Sequence, residues 1–113
     1  KTTARFDSLE AIANLWERLN NYEESENTRL EAFAVAKYCA IQGPLLVNPT
    51  NPVNSASQLV RLYARHKQFA KADAVMQDIY SFLTKNSALS SDAVADLEKT
   101  KNFLEKAKRG AQR

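Results

Sequence analysis

The side chains that could carry out chemistry are few, and their positions do not form a catalytic set. His66 is the only histidine and Cys39 the only cysteine among the 113 residues. A general base must lie within hydrogen-bond reach of the group it deprotonates, and the sequence contains neither a Gly-rich phosphate loop nor a nucleophile elbow. His66 falls at the predicted end of a helix, where a cation interacts well with the helix dipole. We therefore expect a protein that is not an enzyme.

Metal and cofactor sites are not expected either. One cysteine and one histidine cannot supply the ligands of a structural zinc site. Cys39 lies in the most apolar helical stretch, which favours a buried, inert thiol over a reactive one. The acidic residues Glu23, Glu24 and Glu26 open a predicted helix. A solvated helix N-terminus explains them better than paired catalytic carboxylates do.

Charge is distributed unevenly along the chain, whose net charge is +3. Residues 99–113 carry six basic side chains and one acidic one, whereas residues 1–34 carry seven acidic and four basic ones. A basic segment of this kind attracts nucleic acid, anionic lipid or an acidic protein surface. Alternatively, it is a solvated helix end whose cations favour the helix C-terminus. The candidate basic patch comprises Lys99, Lys101, Lys106, Lys108 and Arg109.

The elements that must position these side chains are predicted to be helices. Two Gly and three Pro in a chain rich in Ala, Leu, Glu and Lys favour helix over sheet. The first predicted helix carries Leu9, Ile12, Leu15, Trp16 and Leu19 on one apolar face. No apolar run approaches the length of a bilayer span, so no membrane-spanning helix is expected. Apolar residues recur at helical spacing over five segments, at about 4–19, 22–41, 53–66, 69–85 and 92–109.

Turn and capping residues separate these helices. Asn21 is predicted to cap the second helix, with Glu24 three residues later completing a capping box. A long connection covers 42–52, and its end, Asn51-Pro52, predicts the start of the third helix. Proline is tolerated in the first helical turn because its missing N–H has no intrahelical partner there.

The chain repeats one pattern 47 residues apart. Each copy places an apolar or small pair and an aromatic residue before a turn, and an aromatic and a small residue after it. These residues are Ile12-Ala13, Trp16, Tyr22 and Ser25 in the first copy and Leu59-Val60, Tyr63, Phe69 and Ala72 in the second. The pattern resembles the tetratricopeptide repeat, in particular its kinesin-light-chain-like variety. Repeats of this length are typical of stacked helical hairpins that bind other proteins.

The resemblance implies an all-α fold of two stacked helical hairpins, a TPR-like α-solenoid, followed by a C-terminal capping helix, with about five helices in total. A single domain covers 1–113. Within it we expect repeat 1 at about 4–41, a loop at 42–52, repeat 2 at about 53–85 and the capping helix at about 90–109.

The chain departs from the family pattern at two kinds of position. Asn20 and Lys67 stand where the family usually has Gly, in the turn between paired helices. Because Lys adopts the left-handed conformation less readily than Asn, the second turn is expected to differ from the first. Arg29 stands where a bulky apolar or aromatic residue is common, and Met76 occupies the equivalent place in the second copy.

The resemblance also implies where a partner would bind. In such repeats the first helix of each pair lines a concave face, so the outward positions of these helices are candidates. Asn offers both a donor and an acceptor, and Arg offers a bidentate fork, which suits peptide backbones and carboxylates. The alternative is that these residues are ordinary exposed polar side chains. The candidates are Asn14, Glu17 and Arg18, with Asp7 and Glu10 beside them, in the first copy and Asn54, Ser57, Arg61 and Arg65 in the second.

We expect a non-enzymatic protein–protein interaction module, either a scaffold or adaptor or a small structural subunit of a larger multiprotein assembly. Its partners would be one or more proteins or peptide segments. The alternative is a nucleic-acid-binding helical protein that uses the basic C-terminal helix, and salt separates the two because phosphate binding weakens steeply as salt rises. The first residue is Lys1 rather than Met, which fits a processed chain or a fragment, and the single cysteine leaves the compartment open.

Overall fold

The computed structural model describes residues 2–42, 50–85 and 91–111, without the side chains of residues 2–7, 39, 41–42 and 50–51. Every element in these ranges is an α-helix, which confirms the all-α prediction. Most of the predicted loop at 42–52, and the side chain of Cys39, lie outside the described part. The helices are α1 (Thr2–Arg18), α2 (Tyr22–Gln42), α3 (Thr50–Arg65), α4 (Phe69–Lys85) and α5 (Ser91–Ala111).

The chain divides into two compact units. The first unit, Lys1–Ser55, holds α1, α2 and the first turns of α3. The second unit, Ala56–Arg113, holds the rest of α3 together with α4 and α5. The helix α3 begins three residues earlier than predicted, because Pro52 within its first turn has no backbone hydrogen bond to lose.

The turn between α1 and α2 is a Schellman motif. Asn20 adopts the left-handed conformation, with φ of 57°. Its N–H donates to the Glu17 carbonyl at 3.1 Å, and the Asn21 N–H donates to the Trp16 carbonyl at 3.0 Å. These two bonds satisfy carbonyl groups that the end of a helix otherwise leaves unpaired.

The turn between α3 and α4 is the same motif, 47 residues later. Lys67 has φ of 59°. Its N–H donates to the Ala64 carbonyl at 3.1 Å, and the Gln68 N–H donates to the Tyr63 carbonyl at 2.8 Å. The expectation that this turn would differ is therefore wrong. The motif holds Lys67 in a conformation whose strain, on the order of 1 kcal/mol, the two hydrogen bonds offset.

The start of α2 confirms Asn21 as its cap. Asn21 Oδ1 accepts a hydrogen bond from the Glu24 N–H at 3.1 Å. In a full capping box the Glu24 side chain would accept a hydrogen bond from the Asn21 N–H. Here the Asn21 N–H donates to the Trp16 carbonyl of the turn instead. Ser25 lies one residue further, is buried, and donates its hydroxyl to the Asn21 carbonyl at 2.8 Å. Ala72, the equivalent residue of the second copy, is also small and buried.

Among the residues whose side chains the structure describes, the two units bury different proportions of large apolar side chains. The buried apolar residues of α1 and α2 are three alanines, Leu9 and Phe33, and Leu9, Ala32 and Ala36 form one cluster with Val35 packed against it. The second unit buries a larger number of bulky aliphatic and aromatic side chains. They are Leu59, Val60, Leu62 and Tyr63 of α3, Val75, Met76, Ile79 and Leu83 of α4, and Leu97 and Leu104 of α5.

The single buried apolar face predicted for α1 is only partly correct. Leu9 is buried, but Ile12, Leu15 and Leu19 are 45%, 54% and 62% exposed. Their spacing of three and four residues places them on one stripe of the helix, which we name the α1 apolar stripe. The apolar residues of α1 span a wider arc than α2 covers, so part of that arc faces solvent.

Candidate partner-binding faces

The predicted face of the first copy is built around a buried arginine. Arg29 of α2 is 1% exposed. Its Nε donates to Glu17 Oε2 at 2.7 Å, its Nη1 to Glu10 Oε1 at 2.6 Å, and its Nη2 to Asn14 Oδ1 at 2.7 Å. We name these four residues the Arg29 cluster. Glu10, Asn14 and Glu17 were expected at outward positions, whereas the structure gives each of them a partner across the hairpin.

The composition of the Arg29 cluster follows from the cost of burying a charge. A buried guanidinium is tolerated when carboxylates and other acceptors replace its hydration. Glu10, Asn14 and Glu17 are spaced by four and three residues and so lie on one stripe of α1, facing Arg29. Two carboxylates against one guanidinium leave one negative charge in excess, and Glu10 Oε2 is buried without a hydrogen-bond partner in the described structure. The cluster fixes which residues of α1 and α2 meet.

Arg18 and Arg65 occupy the same place in the two copies. Each lies in the last turn of the first helix of its hairpin, immediately before a Schellman turn, and each is exposed. A cation is favoured there by the helix dipole. Arg18 and Arg65 are therefore the two candidates that have the same local position in both copies.

The remaining candidates of the second copy lie along α3, and two of them contact α5. Asn54 is exposed. Ser57 Oγ lies 2.6 Å from Thr100 Oγ1, and the Arg61 guanidinium lies 4.6 Å from the centroid of the Phe103 ring. Thr100 donates its hydroxyl hydrogen to the Asp96 carbonyl at 3.0 Å, so Ser57 is the donor in the first contact. The helix α5 therefore lies on the Ser57–Arg61 face of α3.

The basic residues of α5 do not form one patch. Lys108 Nζ donates to both carboxylate oxygens of Asp73, at 2.8 and 3.0 Å. Lys101 is seven residues earlier and lies on the same side of the helix. Lys99 and Lys106, also seven residues apart, are exposed on roughly the opposite side. Arg109 is exposed on a third side, between these two pairs.

A cavity of ≈ 490 Å³ lies between α4 and α5 in the second unit. Met76 and Leu104 contribute its buried apolar lining. Its charged lining balances, because it contains two lysines, Lys101 and Lys108, and two carboxylates, Asp73 and Glu105. A cavity with this balance has no strong preference for a ligand of either sign.

Sequence reasoning missed the Arg29 cluster and the contacts of α5 with α3. The sequence held two signals for the cluster. Arg29 stands where the second copy has the apolar Met76, and three polar residues lie at helical spacing on the facing helix. The contacts of Thr100 and Phe103 had no such signal, because neither side chain departs from an ordinary amphipathic pattern. In the described ranges, no group of three or more His, Cys, Asp or Glu side chains is arranged to hold a metal ion.

None of the helices that the structure describes is long and apolar enough to cross a membrane.

Comparisons with known proteins do not extend these observations. The chain matches no protein-family model, no curated protein and no solved structure.

Proposed function

We propose that this chain is a non-enzymatic protein-interaction module, a tetratricopeptide-like helical repeat that serves as a scaffold or adaptor or as a small subunit of a larger assembly. The α1 apolar stripe carries this proposal. Contiguous exposed apolar surface marks sites of interaction, protein–protein sites among them. In the second copy the equivalent residues, Leu59 and Leu62, are only 0% and 2% exposed. The exposure is therefore particular to α1.

The distribution of exposed apolar residues supports an assembly role for the first unit. In the part of the chain that the structure describes, five of the six exposed large apolar side chains belong to this unit, and the other is Val94. Besides the α1 apolar stripe they include Leu30 and Tyr38 of α2. A repeat that cannot bury its apolar face alone is stabilised by a neighbour that covers it.

Exposed polar candidates in each copy support a second mode of contact, of the kind that the family resemblance implies. Arg18 and Arg65 are exposed in the last turns of α1 and α3, and Asn54 is exposed near the start of α3. Arginine pairs with carboxylates and asparagine with peptide groups. Asn14, Glu17, Ser57, Arg61 and Arg65 already have partners within the chain, so in this proposal they share these contacts with a ligand.

The turns support the tetratricopeptide-like assignment. Both hairpins use the same Schellman motif with a left-handed residue at equivalent positions, Asn20 and Lys67. Both follow it with a small buried residue, Ser25 or Ala72. Recurrence of the same turn at the 47-residue interval of the sequence pattern supports an internal repeat of helical hairpins.

Nucleic-acid binding by α5 has less support. The lysines of α5 are divided between two sides of the helix, and Lys108 is paired with Asp73. A nucleic-acid backbone is bound best by a contiguous stripe of cations.

Affinity purification of the tagged full chain at low and moderate salt tests the proposal. We expect a stoichiometric set of proteins that survives moderate salt, is lost in the Leu15→Glu variant and is kept in Val94→Glu, which alters an exposed apolar residue outside the first unit. Helix content and melting temperature must match those of the wild type. Recovery of nucleic acid that dissociates as salt rises, and that Lys101→Glu or Lys106→Glu abolishes, would favour the rival function instead.

A further inference from the structure

The helix α5 covers part of the face on which the family resemblance places a partner. We propose that α5 is a displaceable helix seated on a helix-binding surface of α3 and α4, and that the ligand of this surface is an amphipathic helix of a partner that makes the contacts α5 makes. The proposal rests on the proposed function, because it names the kind of segment that the repeat binds and what controls access to it.

The contacts of α5 define the surface. On α3, Ser57 and Arg61 are one helical turn apart and contact Thr100 and Phe103. On α4, Asp73 holds Lys108 at the other end of α5. Between these contacts α5 buries a stripe spaced by four, three and four residues. The buried residues of this stripe are Ala93, Leu97, Thr100 and Leu104.

The buried stripe of α5 is less apolar than that of its neighbour α4. Only Leu97 and Leu104 are large, and Ala93 and Thr100 complete it. The buried residues of α4 include four large apolar side chains. Because the free energy of burial scales with apolar area, α5 is held less firmly than α4. Its polar contacts are replaceable, since water can satisfy a hydroxyl or an exposed ion pair when the helix leaves.

The same contacts specify the ligand. A competing helix needs apolar residues at the spacing of the α5 stripe and a small hydroxyl residue opposite Ser57. Three residues after that hydroxyl it needs an aromatic ring, which the Arg61 guanidinium can cover as it covers Phe103. A lysine or arginine two turns after the hydroxyl would meet Asp73. This ligand is a partner helix with a basic C-terminal end.

Seating of α5 lowers the apparent affinity for such a ligand. A surface that is open in only a fraction of molecules binds with its intrinsic affinity multiplied by that fraction. Changes that loosen α5 without altering α3 or α4 must therefore strengthen binding of a helix supplied in trans. This dependence distinguishes a displaceable helix from a fixed one.

The experiment adds a fluorescent synthetic peptide with the sequence of residues 91–111 to the full chain and measures anisotropy. Phe103→Ala in the chain is expected to lower the apparent Kd for the probe about tenfold, and Lys108→Glu about threefold, because each weakens the seated α5. Lys106→Glu is the matched control: it makes the same charge change two residues away at an exposed position, and it should leave the Kd unchanged. Circular dichroism checks that each variant keeps its helices.

Hydrogen exchange of the wild-type chain gives the second readout. We expect α5 amides to exchange faster than those of α3 and α4, because opening of α5 precedes global unfolding. Equal protection in all three helices, or a probe affinity that neither Phe103→Ala nor Lys108→Glu changes, overturns the proposal. Neither measurement needs an external partner. A mobile α5 in a chain with no co-purifying protein would thus contradict the proposed function alone.

Discussion

The two hairpins share their turns but use the same helix positions for different purposes. In the first hairpin, three polar residues of α1 bind Arg29 across the hairpin. In the second, the residue in the place of Arg29 is an apolar methionine, and two of the three facing positions contact α5 instead. The equivalent pairs are Glu10 and Ser57, Asn14 and Arg61, Glu17 and Ala64, and Arg29 and Met76.

The turn, and not the core, is the part that the two copies share. A Schellman motif depends on backbone hydrogen bonds and on one left-handed residue, so it tolerates different side chains. The core depends on volume and charge, and it has diverged to an ionic cluster in one hairpin and apolar packing in the other. The exposed apolar stripe belongs to the hairpin with the ionic cluster.

The largest expected difference between the copies is at the equivalent residues Leu59 and Ile12. Leu59→Asp places a carboxylate in a fully buried apolar site and should lower the free energy of unfolding by at least about 4 kcal/mol. Ile12→Asp acts at a half-exposed site and should change the free energy of unfolding by less than about 1 kcal/mol. Urea denaturation measures both. Equal losses at the two positions would mean that α1 and α3 are covered alike.

The Arg29 cluster should give the next largest effect. Arg29→Ala leaves two carboxylates without their guanidinium and should cost about 3 kcal/mol, toward the low end for a buried ion pair because Glu10 and Glu17 each retain some exposure. The triple variant Arg29→Met, Glu10→Gln, Glu17→Gln gives the first hairpin the apolar residue of the second. The free energy of unfolding of this triple variant should lie within about 1 kcal/mol of the wild-type value. An unchanged free energy of unfolding in Arg29→Ala would show that the cluster contributes nothing to folding.

The turns predict a gain in stability. Lys67→Gly removes the strain of a left-handed lysine and should raise the free energy of unfolding by about 0.5–1 kcal/mol. Asn20→Gly should be near neutral, because asparagine tolerates this conformation and glycine costs more entropy on folding. Thermal and urea unfolding of both variants provide the check. A loss of stability in Lys67→Gly would contradict the motif at this turn.

The smallest effect is expected at the exposed ion pair of the second unit. Lys108→Ala removes the contact with Asp73 and should lower the free energy of unfolding by no more than about 0.5 kcal/mol, because exposed ion pairs contribute little. The loss should shrink further as salt rises. Comparison of Lys108→Ala with the wild type in urea at two salt concentrations measures it. A cost as large as that of Arg29→Ala would make this pair, too, a structural element.

The sequence predicted the helices well because their signals are local. Apolar periodicity placed five helices, and Asn21 marked the start of α2. The repeat interval predicted correctly which residues stand at equivalent turns. These features depend on residues within a few positions of each other, and such interactions are legible in a linear sequence.

The sequence could not predict which apolar and polar residues would be buried. The periodicity of α1 is the same whether Ile12 and Leu15 face a neighbour or solvent, and only the packing decides. Glu10 and Arg29 are nineteen residues apart, and an ion pair between helices depends on their relative rotation. The propensity argument at Lys67 failed because two hydrogen bonds of the turn outweighed a local preference.

The most direct test of the central claim is hydroxyl-radical footprinting of the free chain and of the assembly that co-purifies with it. The account predicts that Ile12, Leu15 and Leu19 are readily oxidised in the free chain and become protected several-fold in the assembly, while oxidation of Val94 is unchanged. Equal oxidation of the α1 apolar stripe in both states would contradict the claim that a protein partner covers it.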